Sequence, residues 1–214
     1  MIKLSTKIAL ILFISGIMTA CDSGYKFEKG HWVWISYNEA FGRQVIKLDS
    51  VDNESFKVLT NKDYALDKNS VYYKIRRIKD ADPRTFNIIN EFGYSKDKNN
   101  VYLVGIDCEK VIFADPETFK TLDFPYSKDN NNVYCGTIPL KLNAEEVNEF
   151  TVTNEDTLMA GMCSTIRLSS FIESNPEYSW LDTLKIDWVI VGEDGAGKTK
   201  TRKFKGFKDI TEKK

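Results

Sequence analysis

The strongest chemical signal in the sequence is a stretch of eight residues near the C-terminus that matches a nucleotide-binding loop. Residues 192–199 read GEDGAGKT, which fits the P-loop pattern G-x-x-x-x-G-K-[ST], and they follow a strand-like segment. A P-loop opens a helix whose amino end faces phosphate, whereas residues 200–207 have no helical apolar face. Glu193 and Asp194 would also point negative charge towards a polyphosphate. We therefore interpret the stretch as a glycine-rich hairpin loop and expect no nucleotide ligand.

Turns rich in Asp and Asn would suit calcium, which takes oxygen ligands. Asp97 and Asn99 alternate in this way, as do Asp129 and Asn131, but both loops lack the glycine at the sixth place and the acid at the twelfth. His31 is the only histidine, which excludes a zinc site made of several histidines, and it has no evident Ser or Cys nucleophile as a partner. The sequence therefore predicts no metal, no other cofactor and no catalytic residue.

Cys21 is predicted to carry a lipid. Lys3 and Lys7 precede an uninterrupted apolar run at residues 8–14, which is too short to span a membrane but typical of a signal-peptide core. The run leads to Met-Thr-Ala-Cys at residues 18–21, which resembles a bacterial lipobox, where the cysteine is cleaved on its amino side and acylated. Residues 1–20 are then a signal peptide and residues 21–24 a polar tether. The alternative is an ordinary secreted protein in which this cysteine occurs by chance.

These candidate residues are positioned by a pattern of turns and strands that recurs along the chain. Polar turn residues are followed by a β-branched and aromatic run, which favours a β-hairpin. Asp67 opens the copy DKNSVYY, Asp97 opens DKNNVYL and Asp129 opens DNNNVYC, with spacings of 30 and 32 residues. A weaker copy of the turn precedes Trp32. A period near 30 residues indicates stacked units, none of which buries its apolar face alone.

A helix-start signal lies between successive hairpins. Asp115 can cap a first turn, and Pro116 fits the first helical position. The signal recurs at Asp82 and Asp52, and in degraded form at residues 143–147. The aligned aromatic residues either fill the seams between repeats or present a face on which sugars stack. They form three ladders: Tyr25, Tyr64, Tyr94 and Tyr126; Tyr72, Tyr102 and Tyr134; Phe56, Phe86 and Phe119.

The sequence D-K-N-x-V-Y-Y, followed about fifteen residues later by A-D-P-x-T-F, resembles the DKNYY repeat family of bacterial envelope proteins. The resemblance covers residues 64–142 and, more weakly, residues 25–59. The second tyrosine is lost at Leu103 and at Cys135. The resemblance implies a bacterial lipoprotein built of repeats outside the cytoplasm, and it brings no activity or catalytic residue with it.

Three cysteines remain after Cys21, namely Cys108, Cys135 and Cys163. An odd number outside the cytoplasm allows one disulfide bond and one thiol. Cys108 and Cys135 lie in adjacent repeats, so a disulfide bond between them is one interpretation. The other is that all three are small buried apolar residues, the usual role of an unbonded cysteine. The sequence alone leaves both interpretations open.

The repeated pattern stops after about residue 151, which predicts a repeat domain at residues 25–150 and a C-terminal helix and β-hairpin segment at residues 151–214. Residues 153–156 can open a helix with apolar residues at helical spacing as far as Ile166, and Asn175-Pro176 should break it.

Alternating apolar residues at positions 184–190 predict a strand. We expect residues 188–191 to pair antiparallel with a strand inside residues 199–207, with the glycines of the false P-loop at the tip of the hairpin.

The predicted fold class is therefore mainly β with short helical turns, built of tandem β-hairpin repeats of about 30 residues, followed by a small α+β C-terminal segment. The formal net charge of −1 does not suggest nucleic-acid binding. We expect a protein anchored by its lipid outside the cytoplasm, at the bacterial cell membrane or outer membrane, with a non-catalytic binding or spacing role. Its partners would be the membrane and an envelope protein or glycan. The alternative is an envelope hydrolase or sugar-active enzyme whose site the sequence does not reveal.

Overall fold

The computed structural model describes residues 23–105, 108–153 and 163–212. Strands make up 40% and helices 12% of the structure, which confirms the predicted mainly β fold class. The lipobox at Cys21, the predicted signal peptide and residues 154–162 lie outside the described residues. No described helix is long and apolar enough to cross a membrane.

The described residues form six small antiparallel sheets: one of three strands, four of four strands, and one of two strands that lies within the fifth repeat. The first contains β1 (Gly24–Glu28), β2 (His31–Asn38) and β3 (Gly42–Lys47). The second contains β4 (Lys57–Val58), β5 (Tyr64–Leu66), β6 (Val71–Tyr73) and β7 (Arg76–Arg77). The third contains β8 (Asn87–Ile88), β9 (Tyr94–Lys96), β10 (Val101–Val104) and β11 (Cys108–Lys110).

The fourth sheet contains β12 (Lys120–Thr121), β13 (Tyr126–Lys128), β14 (Val133–Cys135) and β15 (Ile138–Pro139). Helix α1 (Ala144–Glu149) follows it and leads into β16 (Thr151–Val152). The next elements are β17 (Cys163–Arg167), α2 (Leu168–Ser174), a 3-10 helix (Pro176–Thr183) and β18 (Trp188–Gly192). The fifth sheet joins β16 to β19 (Ala196–Lys198), β20 (Lys203–Lys205) and β21 (Lys208–Asp209).

A buried aspartate holds each repeated hairpin together. Asp129 is 1% exposed, and one of its carboxylate oxygens accepts the amides of Asn131 and Asn132 at 2.7 Å each. The other oxygen accepts the amide of Asp115 at 2.9 Å and the hydroxyl of Tyr134 at 2.7 Å. Asp67 and Asp97 make the same four kinds of bond, so one carboxylate closes its turn and ties it to the preceding segment in three successive repeats.

The aromatic ladders lie inside the stack. The ring of Phe119 contacts Tyr94 of β9 in the third repeat and Tyr134 of β14 in the fourth, at centroid distances of 5.5 and 6.2 Å. The arrangement of one phenylalanine between two rings fills each seam between repeats, so these tyrosines do not form an exposed sugar-stacking face. The same arrangement recurs in Tyr25–Phe56–Tyr72, Tyr64–Phe86–Tyr102 and Tyr126–Phe150–Phe204.

The repeats continue to the C-terminus, beyond the boundary at residue 150 that the sequence predicts. β16 pairs with β19, as β4 pairs with β5, and α1 occupies the place of the earlier Asp-Pro turns. Thr199 replaces the turn aspartate, since its Oγ1 accepts the amides of Thr201 and Arg202 at 3.3 and 3.0 Å. Thr199 and Phe204 stand where earlier repeats have Asp and Tyr, and this is why the pattern is hard to recognise in the sequence.

The false P-loop belongs to this fifth repeat. Ala196–Lys198 is a strand and the residues after it turn back into β20, so no helix begins near Lys198. A Cβ on Gly197 would overlap the ring of Phe150, and one on Gly195 would overlap Pro125. These glycines therefore allow close packing inside the repeat.

Residues 153–195 form an insertion within the fifth repeat, between β16 and β19. The predicted pairing of residues 188–191 with residues 199–207 is wrong, because β18 pairs with β17 from Arg167↔Trp188 to Cys163↔Gly192. The sequence predicts Ile166 in a helix, but it lies in β17. It also predicts that the strand includes Leu184 and Ile186, but both residues lie before β18 begins at Trp188. The expected break is present, since α2 ends before Asn175 and Pro176 begins the 3-10 helix.

The insertion docks on the fourth repeat through a glycine turn. The amide of Thr137 donates to the carbonyl oxygen of Ile190 at 2.7 Å, and the amide of Ile190 donates to Oγ1 of Thr137 at 2.9 Å. Gly136 has φ of +64°, and a Cβ there would overlap the same carbonyl oxygen. The turn thus needs glycine both for its left-handed backbone and for the contact with the insertion.

Candidate functional site

The insertion leaves a groove where its segment 185–188 faces the second and third repeats. This insertion groove has a volume of about 420 Å³. A second depression of about 470 Å³ shares Lys110, Lys185 and Ile186 with it and extends to Phe113. The residues that line the insertion groove are Arg76, Arg77, Lys79, Asp80, Cys108, Glu109, Lys110, Lys185, Ile186, Asp187 and Trp188.

Basic side chains outnumber acidic ones in the lining by five to three. Nζ of Lys110 forms an ion pair with Asp80 at 3.0 Å, which neutralises one charge of each sign. A guanidinium nitrogen of Arg77 donates to the backbone oxygens of Asp49 and Ser50 at 3.3 and 2.7 Å. Lys79 and Lys185 are both exposed. The groove therefore presents cations suited to an anionic ligand.

Aromatic side chains lie in both parts of the combined depression. Trp188 lines the insertion groove, and the guanidinium carbon of Arg167 lies 4.8 Å from its ring centroid. Phe113 lines the second depression and stacks on Trp180, with the centroids 5.9 Å apart and an interplanar angle of 17°. Phe113 is 60% exposed and has φ of +62°, a costly conformation for a bulky residue. Ser50 and Asp80 have the same left-handed backbone at the equivalent turns, so the particular feature of this turn is the exposed aromatic ring.

The aspartates of the repeated turns, by contrast, are committed to the fold. Burial raises the pKa of Asp67, but the hydrogen bonds from the amides of Asp52, Asn69 and Ser70 and from the hydroxyl of Tyr72 outweigh burial and lower it. The hydrogen bond from Lys68 helps to lower the pKa of half-buried Asp52 to about 2. These acids are therefore carboxylates hydrogen-bonded within the repeated turns.

The tyrosines of the repeated turns likewise serve the fold through their hydroxyl groups. Burial, together with the adjacent Asp67 carboxylate, raises the pKa of Tyr72 to about 12. Burial also raises the pKa of Tyr102 and Tyr134, each of which donates its hydroxyl to the aspartate of its own turn. Their hydroxyls are therefore hydrogen-bond donors that satisfy a buried charge.

The other candidate site residues from the sequence do not lie together in one site. Asp97 and Asp129 bind amides and hydroxyls, and in the described ranges no group of three or more His, Cys, Asp or Glu side chains could hold a metal. His31 opens β2, where its Nδ1 lies 3.1 Å from the carbonyl oxygen of Lys29.

Of the two interpretations of the cysteines, the structure has the one without a disulfide bond between Cys108 and Cys135, since both residues and Cys163 carry thiols. Cys108 lies on the last strand of its sheet, opposite Val104, whereas Cys135 lies on the inner strand β14. The two cysteines occupy different positions of the repeat, so stacking does not superpose them. Cys108 packs with the second and third repeats, and Cys135 packs in the cluster that joins the fourth repeat to the insertion.

The residues of the insertion groove were not predicted as a site from the sequence. Arg167, Lys185 and Trp188 lie in the insertion, outside the repeated pattern. The one signal that could have found the site is Phe113, which stands where the aligned repeats have Ser50 and Asp80, residues with φ of +56° and +59°. An aromatic residue in place of a polar turn residue is a departure that the repeat alone does not require.

The sequence model of the DKNYY family matches the chain twice, over residues 7–106 and residues 94–213. No curated protein and no solved structure matches the chain. The two matches together extend from the N-terminal region to the last strand, and the second of them includes the fifth repeat and its insertion. The chain therefore belongs to the DKNYY family.

Proposed function

We propose that this protein is a non-catalytic binding protein of the bacterial cell envelope, held at a membrane by acylated Cys21, and that the insertion groove binds an acidic glycan. The observation that carries the proposal is the insertion groove with its adjoining depression, whose linings contain exposed Lys79 and Lys185 and the aromatic residues Trp188 and Phe113. Cations match the carboxylates of acidic sugars, and flat aromatic rings suit the apolar faces of sugar rings. The repeat stack acts as the rigid support for this surface.

The groove can be tested with polygalacturonate as the probe, by calorimetry on the purified protein. We expect binding that weakens with added salt, because the contacts are between exposed charges. The double variant Lys79→Ala/Lys185→Ala should weaken binding about tenfold, the combined effect of two exposed ionic contacts. The matched control Lys57→Ala/Lys62→Ala removes two exposed lysines elsewhere on the second repeat and should bind like the wild type.

If the two double variants bound polygalacturonate with equal affinity, the insertion groove would not be the binding site. Capture of an envelope protein by the wild type, with no binding of polygalacturonate, would replace the glycan by a protein partner. Hydrolysis of the polymer would support the alternative of a sugar-active enzyme, which needs a pair of carboxyl groups on either side of the scissile bond.

Membrane attachment through Cys21 is a separate prediction. Cys21→Ser should leave an uncleaved precursor or a soluble protein, because the serine hydroxyl cannot take the place of the acylated thiol at the lipobox. Incorporation of a labelled fatty acid in the native host should disappear, whereas Cys108→Ser should keep the label. A Cys21→Ser protein that stays at the membrane with its label would place the anchor elsewhere.

A further inference from the structure

The insertion carries a cysteine that faces a buried cysteine of the fourth repeat across one glycine. In the ladder between β17 and β18, Cys163 is directly opposite Gly192, so both residues present the same face of the sheet. Sγ of Cys135 donates to the carbonyl oxygen of Gly192 at 3.3 Å. A Cβ built on Gly192 would lie 3.0 Å from the same sulfur. The thiol of Cys135 therefore occupies the space beside Cys163 that the glycine leaves open.

We propose that Cys135 and Cys163 form a disulfide bond that fastens the insertion to the fourth repeat when the protein meets a disulfide oxidant. Residues directly opposite each other in an antiparallel ladder have Cβ positions about 5 Å apart. The Cβ of Cys163 is therefore about 5 Å from the position that a Cβ on Gly192 would occupy. That position lies 3.0 Å from Sγ of Cys135. Both thiols therefore border the same space beside Gly192, and a disulfide bond requires their Cβ atoms to approach to about 4 Å.

The exposure of the two residues sets the order of the steps. Cys163 is partly exposed and Cys135 is buried, so Cys163 meets the oxidant first. Its thiol loses a proton to solvent, and its sulfur attacks the disulfide of the oxidant, from which one thiolate leaves. Cys135 then loses its proton and attacks the sulfur of Cys163, and the second thiolate leaves. The two cysteines give up two electrons and two protons, and the oxidant is reduced to two thiols.

The thiols resist spontaneous oxidation. Burial raises the pKa of Cys135 well above its usual range, and the neighbouring Cys163 adds to this effect. Burial raises the pKa of Cys163 to about 12. Both are therefore protonated at neutral pH, where the thiolate is the reactive form, so the bond needs an added oxidant or a thiol oxidoreductase.

The pairing can be tested on the full chain carrying Cys21→Ser, so that Cys108, Cys135 and Cys163 are the cysteines present. After treatment with oxidised glutathione, we expect the protein to lose the mass of two hydrogen atoms. Digestion without reductant should then give one linked peptide pair that contains Cys135 and Cys163. Adding Cys108→Ser should leave this result unchanged, whereas adding Cys163→Ser should abolish it.

Two outcomes would overturn the proposal. One is a linked peptide that contains Cys108. The other is a Cys108→Ser protein in which Cys163 carries glutathione while Cys135 remains a thiol after prolonged oxidation, because the two sulfur atoms would then be shown not to meet. Circular dichroism of each variant before oxidation confirms that the serine variants are folded, so a missing bond cannot be ascribed to misfolding.

Discussion

Asp129→Ala is expected to lower the free energy of unfolding by about 4 kcal/mol or more. The carboxylate accepts four hydrogen bonds and is 1% exposed, so its removal leaves three amides and the hydroxyl of Tyr134 without their acceptor. Each buried donor left unsatisfied costs about 1–3 kcal/mol. A single-residue effect of this size is exceptional, and the loss of a buried hydrogen-bond network is one of the few causes that can produce it. Urea denaturation of the purified protein, followed by tryptophan fluorescence, measures it.

Asp123→Ala provides the matched control, because Asp123 is exposed and lies in the same repeat. It should change the free energy of unfolding by less than about 0.5 kcal/mol. Asp129→Asn should fall between the two, since the amide oxygen retains part of the acceptor capacity while the amide nitrogen faces donors. If Asp129→Ala unfolds at the same urea concentration as the wild type, the carboxylate is not the element that closes the turn.

Much of the repeat was predictable from the sequence, because each of its parts has a local cause. Asp and Asn favour the turn, Val and Tyr favour the strand after it, and Asp-Pro opens the next helical turn. The copies at Asp67, Asp97 and Asp129 agree in all of these features, and the structure gives them the same hydrogen bonds. The full role of the aspartate was not foreseen, since two of its four partners come from outside the turn.

The fifth repeat was not predicted from the sequence because its turn and strand signals are weak and are interrupted by the insertion. Thr199 makes two of the bonds that an aspartate makes, and Phe204 keeps the ring of the ladder without the hydroxyl. The insertion separates its first strand from the other three by 43 residues, from 153 to 195. Pairing between segments so far apart depends on tertiary packing, which local patterns do not encode.

The groove could not be predicted for a similar reason. Its lining combines Arg76 of β7, Lys110 of β11 and Lys185 of the insertion, which are brought together only when the insertion docks. The docking itself rests on the contacts of Gly136 and Thr137 with Ile190. Glycine in a hairpin turn is expected in any case, so its second role as a docking point is visible only in the structure.

Phe119→Ala is expected to destabilise the protein by about 3–5 kcal/mol, the usual cost of emptying a buried phenylalanine site. Phe119 is 8% exposed and lies between the rings of Tyr94 and Tyr134, so the substitution removes both ring contacts and leaves a cavity in the seam. The seam joins the third and fourth repeats, and the stability of a stack depends on such contacts between neighbouring repeats. Chemical denaturation gives the change in free energy of unfolding.

Phe41→Ala separates this packing effect from the loss of an aromatic ring as such. Phe41 is 78% exposed, so its substitution should change the free energy of unfolding by less than about 0.5 kcal/mol. Phe119→Leu should recover part of the loss, because leucine refills much of the cavity without the ring contacts. If Phe119→Ala were as stable as Phe41→Ala, the ladder would not hold the repeats together. The aromatic residues would then have to be reconsidered as a surface for a ligand.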